Sequence, residues 1–400
     1  MRKKLNCFRK YDIRGRLGID LDADISFRIG RAVSQYFSAR KIILGFDARE
    51  TSPELANEVA RGICESGTNV LNIGLSGTEE MYWAVTEFKA DAGIQITASH
   101  NPIEYNGMKL VKIGSSPLSE KEFSAIKVLT ESNNFLPSQR VGVILDIQNQ
   151  ARKTYIKKLV SFVDFKNLKP IRIVINSGNG AAGPTIDALE RLLSEKGVET
   201  NFFRLHHSPD SSFPNGIPNP LLEENRFSTA EEVKSQKADF GVAFDGDFDR
   251  CFFFDHQGNF ISSEYMVGLL AEIFLRREPG STIIHEPRLV YSTSQTVKEL
   301  GGQTVVSKTG HAFMKSAMRF SNGIYGGEIS AHHYFRDFAF CDSGIIPWLL
   351  IWEHVSKEQK QLADFITEKK QQFPSSGEMN FEVSNAEDCI EMFKDIFAST

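Results

Sequence analysis

The sequence predicts an α/β protein of successive sheet-and-helix units, and three observations predict it. At 400 residues the chain exceeds what one hydrophobic core usually spans, and at roughly 150 residues per domain it divides into two or three compact units. Short runs rich in Ile and Val alternate with helix-patterned stretches, the signature of strands joined by helical crossovers. Three of those runs open similar units.

The first run, residues 42–46, leads into Asp47-Ala48-Arg49 and a helical stretch over 52–67. The second, residues 171–175, leads into a glycine loop and a helix over 184–195. The third, residues 282–284, leads into Glu286-Pro287-Arg288 and a helix ending near Gly301. Polar stretches separate the units: Asn133, Asn134, Pro137 and Ser138 in one, four prolines between 208 and 220 in another, and Pro374-Ser375-Ser376-Gly377 in a third. The boundaries fall near 145, 255 and 372, giving α/β units 1–145, 146–255 and 256–371 with mixed, largely parallel sheets flanked by helices. Residues 372–400 are too few for a domain of their own.

Composition narrows the function classes. Apolar residues at 41% and charged residues at 24% suit a soluble globular chain rather than disorder or coiled coil. A net charge of -5 argues against general nucleic-acid binding, which needs a clustered basic face. The basic amino terminus is followed by no apolar stretch, so no secretory signal is expected, and the longest apolar run, 345–352, falls short of the ~20 residues that span a bilayer. Five scattered cysteines, none in a CxxC pair, read as reduced thiols. These features place the chain in the cytoplasm, away from membranes and nucleic acid.

Four segments carry chemistry. In Gly93-Ile94-Gln95-Ile96-Thr97-Ala98-Ser99-His100-Asn101-Pro102 a buried-looking strand runs into a polar loop, where such folds place their sites. Ser99 is a candidate nucleophile or a turn cap; His100 adjoins it, and Lys109 offers a cation to move a proton or hold a phosphate. A hydroxyl attacking a phosphoryl group needs its oxygens neutralised more than it needs a strong base. Residues 240–244 read as a strand ending in Asp245-Gly246-Asp247-Phe248-Asp249-Arg250. Alternate carboxylates on an extended backbone converge on one side, and three together call for a hard cation, magnesium or calcium. The glycine in second place does not match the calcium loop.

Gly326-Gly327-Glu328-Ile329-Ser330-Ala331-His332-His333, with Lys308-Thr309-Gly310-His311 before it, suits hydrogen bonding to sugar hydroxyls. Gly178-Asn179-Gly180-Ala181-Ala182-Gly183 has the form of a dinucleotide fingerprint, but Glu199 stands at the start rather than the end of the strand predicted over 200–205. An NAD-dependent oxidoreductase is therefore a rival reading, set against glycines that only permit a tight turn and close helix packing. A phosphatase using Asp245 as nucleophile is a further rival.

Together and in this order, the serine, aspartate and Glu328 segments resemble the α-D-phosphohexomutase superfamily, which includes phosphomannomutases and phosphoglucomutases. Phe8-Arg9-Lys10-Tyr11-Asp12-Ile13-Arg14-Gly15 resembles its amino-terminal motif, and the resemblance covers residues 5–380. The extended third loop, with Tyr334-Phe335-Arg336-Asp337-Phe338, and the stretch Phe213-Pro214-Asn215-Gly216 look most like bacterial phosphomannomutases serving GDP-mannose and surface-polysaccharide synthesis.

The resemblance implies the following. Ser99 carries a phosphoryl group beside one Mg2+ held by Ser99, Asp245, Asp247 and Asp249. It exchanges that group with a hexose phosphate through a bisphosphate, and hexose 1,6-bisphosphate serves as activator. Catalytic roles fall to Ser99, His100, Lys109, His311, Arg14 and Arg250, with Lys109 and His311 handling protons. Substrate contacts fall to Tyr11, Arg14, Lys308, Glu328, Ser330 and His332. A phosphosugar is the expected partner of a monomer or weak homodimer. Residues 372–400 are expected to be a fragment of a fourth, α+β domain, with a strand and helix over 380–397. The superfamily's carboxy-terminal phosphate-gripping loop has no counterpart here, which implies weaker substrate anchoring and leaves a mutase of little or no activity as an alternative.

Overall fold

The computed structural model describes residues 4–375, 377 and 381–398. Its first sheet contains β1 (Ile13–Arg16), β2 (Lys41–Phe46), β3 (Asn69–Leu75), β4 (Ala92–Ile96), β5 (Tyr105–Lys112), β6 (Ser116–Pro117) and β7 (Ile144–Asp146). Strand order is β1-β5-β4-β2-β3-β7, with β6 on the flank of β5. The second holds β8 (Arg172–Asn176), β9 (Asn201–Leu205), β10 (Phe240–Ala243), β11 (Phe252–Asp255) and β12 (Phe260–Ile261), ordered β12-β11-β10-β8-β9. The third holds β13 (Thr282–His285), β14 (Gln303–Val306), β15 (Tyr325–Gly327), β16 (His333–Phe335) and β17 (Cys341–Asp342), ordered β14-β13-β15-β16-β17. The second sheet thus runs on to Ile261, past residue 255.

Each sheet is mixed, as the sequence predicts, with its parallel pairs at the centre. The central strands pair in parallel: β2 with β3 and β4, β8 with β9 and β10, β13 with β14 and β15. On one side of each centre the chain turns straight back, so β4–β5, β10–β11 and β15–β16 are antiparallel. A parallel neighbour needs a long crossover, whereas a short loop permits only an antiparallel return. The three turnbacks span residues 97–104, 244–251 and 328–332, which are the three loops with chemistry.

The helices lie on apolar faces as their sequences dictate. The helix Ser52–Glu65 buries Leu55, Ala56, Val59, Ala60 and Ile63 at helical spacing, with Pro53 in its first turn where a missing N–H does no harm. The run 345–352 forms the start of the helix Ile345–Glu358, with every residue from Ile345 to Trp352 buried. Trp348 and Trp352 anchor it, and one continuous cluster of buried side chains joins all three units through Met81, Tyr155, Phe240 and Trp348. No helix among the described residues is long and apolar enough to cross a membrane. All five cysteines are unpaired, four of them buried.

The carboxy-terminal segment departs from expectation. Residue 380, where a strand is expected to open, lies outside the described residues, as do Met1 to Lys3 of the basic amino terminus. Among the described residues, 381–385 pair with no strand. The helix Ala386–Phe397 follows with no buried residue.

Candidate active site

The nucleophile loop is held in a conformation that few side chains adopt freely. Ser99 sits at φ 48°, left-handed backbone, with its N–H donating to Thr97 Oγ1 at 2.8 Å. From the connection between β2 and the helix Ser52–Glu65, Arg49 reaches under the loop. Its Nη1 donates to Pro102 O (3.0 Å) and Tyr105 O (3.1 Å), and its Nη2 to Ser99 O (3.0 Å) and Asn101 O (2.5 Å). Arg49 and Asp47, each 2% exposed, form a buried ion pair. Sequence reading noted Asp47 and Arg49 without giving them a role; their signal is two opposite charges directly after an apolar strand.

The aspartate loop converges by turning, not by alternation along an extended strand. Phe248 N–H donates to Asp245 O at 3.1 Å and Phe248 takes φ 45°, curling the three carboxylates inward. One ligand atom from each lies within 4.8 Å of the others, and all three side chains are at most 1% exposed. Gly246 is required by proximity, since a Cβ there would stand 2.7 Å from Ser99 O. The glycine loop has a supporting role: Ala181 N–H donates to Gly246 O at 3.1 Å, and a Cβ on Gly180 would lie 2.7 Å from the same oxygen. That close packing turns the loop's backbone inward, against the aspartate loop, and removes the ground for the dinucleotide reading.

Ser99 Oγ donates to Asp245 Oδ2 at 2.5 Å and lies 3.0 Å from His100 Nδ1. Arg250 Nε stands 3.4 Å from Asp245 Oδ2. Lys109 Nζ donates to Asp247 Oδ2 at 2.7 Å and to Asp249 Oδ2. Thr78 Oγ1, at the start of the helix Thr78–Glu87, donates to Asp247 Oδ2 at 2.5 Å. Arg14 Nη1 donates to Thr97 O at 3.1 Å beside its Asp12 pair.

Burial and the charge of Asp247 push the Asp249 carboxyl up to about 7. Burial also acts to raise Asp247, but the Lys109 ammonium outweighs it and holds Asp247 far below the carboxylate range. Oδ1 of Asp245, of Asp247 and of Asp249 is buried without a hydrogen-bond partner. Three orphaned, converging oxygens are what a hard cation satisfies, so the donor set fits a divalent ion bound through oxygen.

Lys109 is held charged by its neighbours. Burial would lower its pKa, but Asp247 and Asp249 prevail and raise it above the usual lysine range. Burial instead drives His311 well below the usual imidazole range, leaving a neutral ring.

Between the first and third units, Tyr11 and Phe313 pack edge-on at 5.0 Å, with Lys308 Nζ 5.6 Å from the same Phe313 ring. Ser330 is half-buried. Glu328 Oε1 accepts from Gly310 N–H at 2.6 Å and Oε2 from the Tyr334 hydroxyl at 2.5 Å, so both oxygens brace the loop. His332 Nδ1 lies 2.9 Å from Asp342 Oδ2 and 3.7 Å from Asp249 Oδ1.

Residues 5–136, 153–258 and 262–373 match the phosphoglucomutase/phosphomannomutase alpha/beta/alpha domains I, II and III. A phosphomannomutase from Escherichia coli is 50% identical over 391 residues, 97% of this chain and 85% of that protein. One from Vibrio cholerae is 49% identical, covering 96% and 84%. A crystal structure of a phosphoglucomutase/phosphomannomutase family protein from Burkholderia thailandensis superposes with a TM-score of 0.82 at 28% identity, over 94% of this chain and 81% of that one. The N-acetylphosphoglucosamine mutase of Aspergillus fumigatus, solved with GlcNAc-6P and magnesium, shares the fold at a TM-score of 0.57 and 14% identity, over 91% and 80%. A serine loop, an aspartate loop and a glutamate loop, each on the turnback of a matching domain, belong together: the chain is a member of the phosphoglucomutase/phosphomannomutase family.

Proposed function

We propose that this chain is a phosphomannomutase, an isomerase that interconverts mannose 6-phosphate and mannose 1-phosphate by way of a phosphorylated Ser99. The observation that carries the reading is the contact of Ser99 Oγ with Asp245 Oδ2, at the mouth of three buried carboxylates with unpartnered oxygens. The name comes from relatives about half identical along nearly the whole chain.

Asp245, Asp247, Asp249 and the oxygen on Ser99 are the groups that would hold Mg2+, the hard ion suited to carboxylate and phosphate ligands. Bound there, it supplies neutralisation of the phosphoryl oxygens. The protein's own groups do the rest. Arg14, Lys109 and Arg250 surround the serine with fixed positive charge in a water-poor setting, where such charge acts strongly on developing oxyanions. Phosphoryl transfer breaks the bond from phosphorus to Ser99 Oγ, forms one to the free hexose hydroxyl, and needs the hydroxyl proton removed. The neutral His311 imidazole is the group proposed to take it. The resulting hexose 1,6-bisphosphate, also the expected activator, turns over and returns its other phosphoryl group to Ser99. Tyr11, Lys308, Glu328, Ser330 and His332 are proposed to meet the sugar and its phosphate, with Glu328 acting mainly by bracing the loop.

The same proposal includes a cytoplasmic location and a supply of mannose 1-phosphate for GDP-mannose. The test is Ser99→Ala in a coupled assay of mannose 1-phosphate, with glucose 1-phosphate in parallel and intact-mass mapping of the serine phosphate. Turnover and serine-bound phosphate should both vanish. Retained turnover, or phosphate released by hydroxylamine as from an aspartyl phosphate, would overturn the serine mechanism.

A further inference from the structure

Beside the carboxylates assigned above, a second set of buried polar atoms converges without hydrogen bonds. Asp249 Oδ1, His332 Nδ1 and Asp342 Oδ2 are each buried and without a partner. One ligand atom from each of these three residues lies within 4.8 Å of the others. Nδ1 stands 2.9 Å from Asp342 Oδ2 and 3.7 Å from Asp249 Oδ1. Exposure is 1% for Asp249, 7% for His332 and 0% for Asp342.

The surroundings hold these atoms in place. Lys315 Nζ, which donates to the Tyr82 hydroxyl at 2.8 Å, also donates to Asp342 Oδ1 at 3.1 Å. Lys109 donates to Asp249 Oδ2. In both carboxylates a lysine takes one oxygen, and the other oxygen is left near the imidazole. His332 directly precedes β16, and Asp342 lies on β17, its antiparallel neighbour. Cys251 N–H donates to Ala331 O at 3.1 Å, which seats the end of the aspartate loop beside His332.

Buried polar atoms cost free energy unless something pairs with them. A hydrogen bond wants its acceptor on the line of the N–H. Nδ1 and Asp342 Oδ2 are near enough for one and form none, so the oxygen stands off that line. An ion on the ring's lone pair holds its other ligands to the side: two ligands about 2.1 Å from one centre, at about 90–110° to each other, are about 3.0–3.4 Å apart. The two spacings from Nδ1 bracket that range. Imidazole beside two carboxylates is a donor set for zinc and similar transition ions, whereas magnesium keeps to oxygen.

We propose that Asp249, His332 and Asp342 form a second divalent-ion site, which takes Zn2+ and shares Asp249 with the magnesium set. The site is read from geometry and stands whether or not the chain is a mutase. Asp249 serves both sets, and Lys109, Arg250 and Lys315 already bring positive charge to them. The two ions therefore oppose each other, and by linkage each weakens the other's binding to the same degree.

The test uses the full chain, freed of metal by a chelator and titrated with Zn2+ and with Mg2+ by calorimetry, with zinc K-edge X-ray absorption recorded at equimolar Zn2+. The wild-type spectrum shows imidazole coordination, a readout that needs no substitution. His332→Gln removes that signature and the tight Zn2+ binding, and its unchanged Mg2+ affinity shows that the variant is folded. Asp245→Asn weakens Mg2+ and leaves Zn2+ in place, whereas Asp249→Asn weakens both. Saturating Mg2+ lowers the Zn2+ affinity of the wild type by about five- to 150-fold. Oxygen-only coordination in the wild type, an imidazole signature that survives His332→Gln, Zn2+ lost with Asp245→Asn, or a Zn2+ affinity indifferent to Mg2+ each overturns the proposal. Failure of the mutase reading shows separately, as absent turnover and absent serine phosphate with the Zn2+ signature intact.

Discussion

Arg49→Lys isolates the support of the nucleophile while conserving its charge. Ser99 holds a left-handed backbone at φ 48°, a conformation that costs a residue with a side chain about 1–2 kcal/mol. The Arg49 guanidinium offsets that strain by donating to four carbonyl oxygens of the loop, those of Ser99, Asn101, Pro102 and Tyr105. An ammonium has only three donors and no planar fork, so at least one of these carbonyls loses a charged partner. A hydrogen bond to a charged group contributes about 1.5–3 kcal/mol, as much as the strain it opposes or more. The strained loop then gives way to relaxed alternatives, and the attack-ready population falls about 10- to 150-fold at 1.36 kcal/mol per decade. The expected result is a fall in kcat of that size with KM little changed, unaltered far-ultraviolet dichroism, and less phosphate on Ser99 by intact mass. A variant within about twofold of wild type, with full serine phosphate, would refute the argument that Arg49 sets the loop.

Two further outcomes follow from the aspartate loop. Asp249 titrates at about 7 against an ordinary carboxylate value of 3.8, so below pH 7 a divalent ion must displace a proton. Titration calorimetry should show Mg2+ affinity falling as pH drops from 7 towards 5, by up to about tenfold per unit for one displaced proton; equal affinity at pH 5.5 and 7.5 would contradict the raised carboxyl. Gly246→Ala places a Cβ 2.7 Å from Ser99 O, and overpacking of this kind costs about 1–3 kcal/mol. Denaturant unfolding should register that loss and calorimetry a weaker Mg2+ response, whereas a fully stable variant with normal affinity would show that the two loops need not touch.

Local patterns were enough to place most of the strands and helices. The run at 42–46, the glycine loop before a helix at 183, and the buried helix after Gly344 are each signalled by residues a few positions apart, the range over which periodicity, caps and turns act. Local patterns announced mixed sheets but not which neighbours run antiparallel, because direction depends on how short the connecting loop proves to be.

By itself the sequence determined which groups were available: a serine after one strand, three aspartates after another, a glutamate and histidines after a third. Only the tertiary structure decided which of them meet. Ser99 and Asp245 are 146 positions apart, Lys109 and Asp249 140, and Tyr82 and Lys315 233. Those pairings exist because apolar faces on three separate sheets pack into one core and bring three turnback loops to one place. Packing also sets the charges, since withdrawal from water is what raises Asp249, keeps His311 neutral and leaves three carboxylate oxygens in want of a cation.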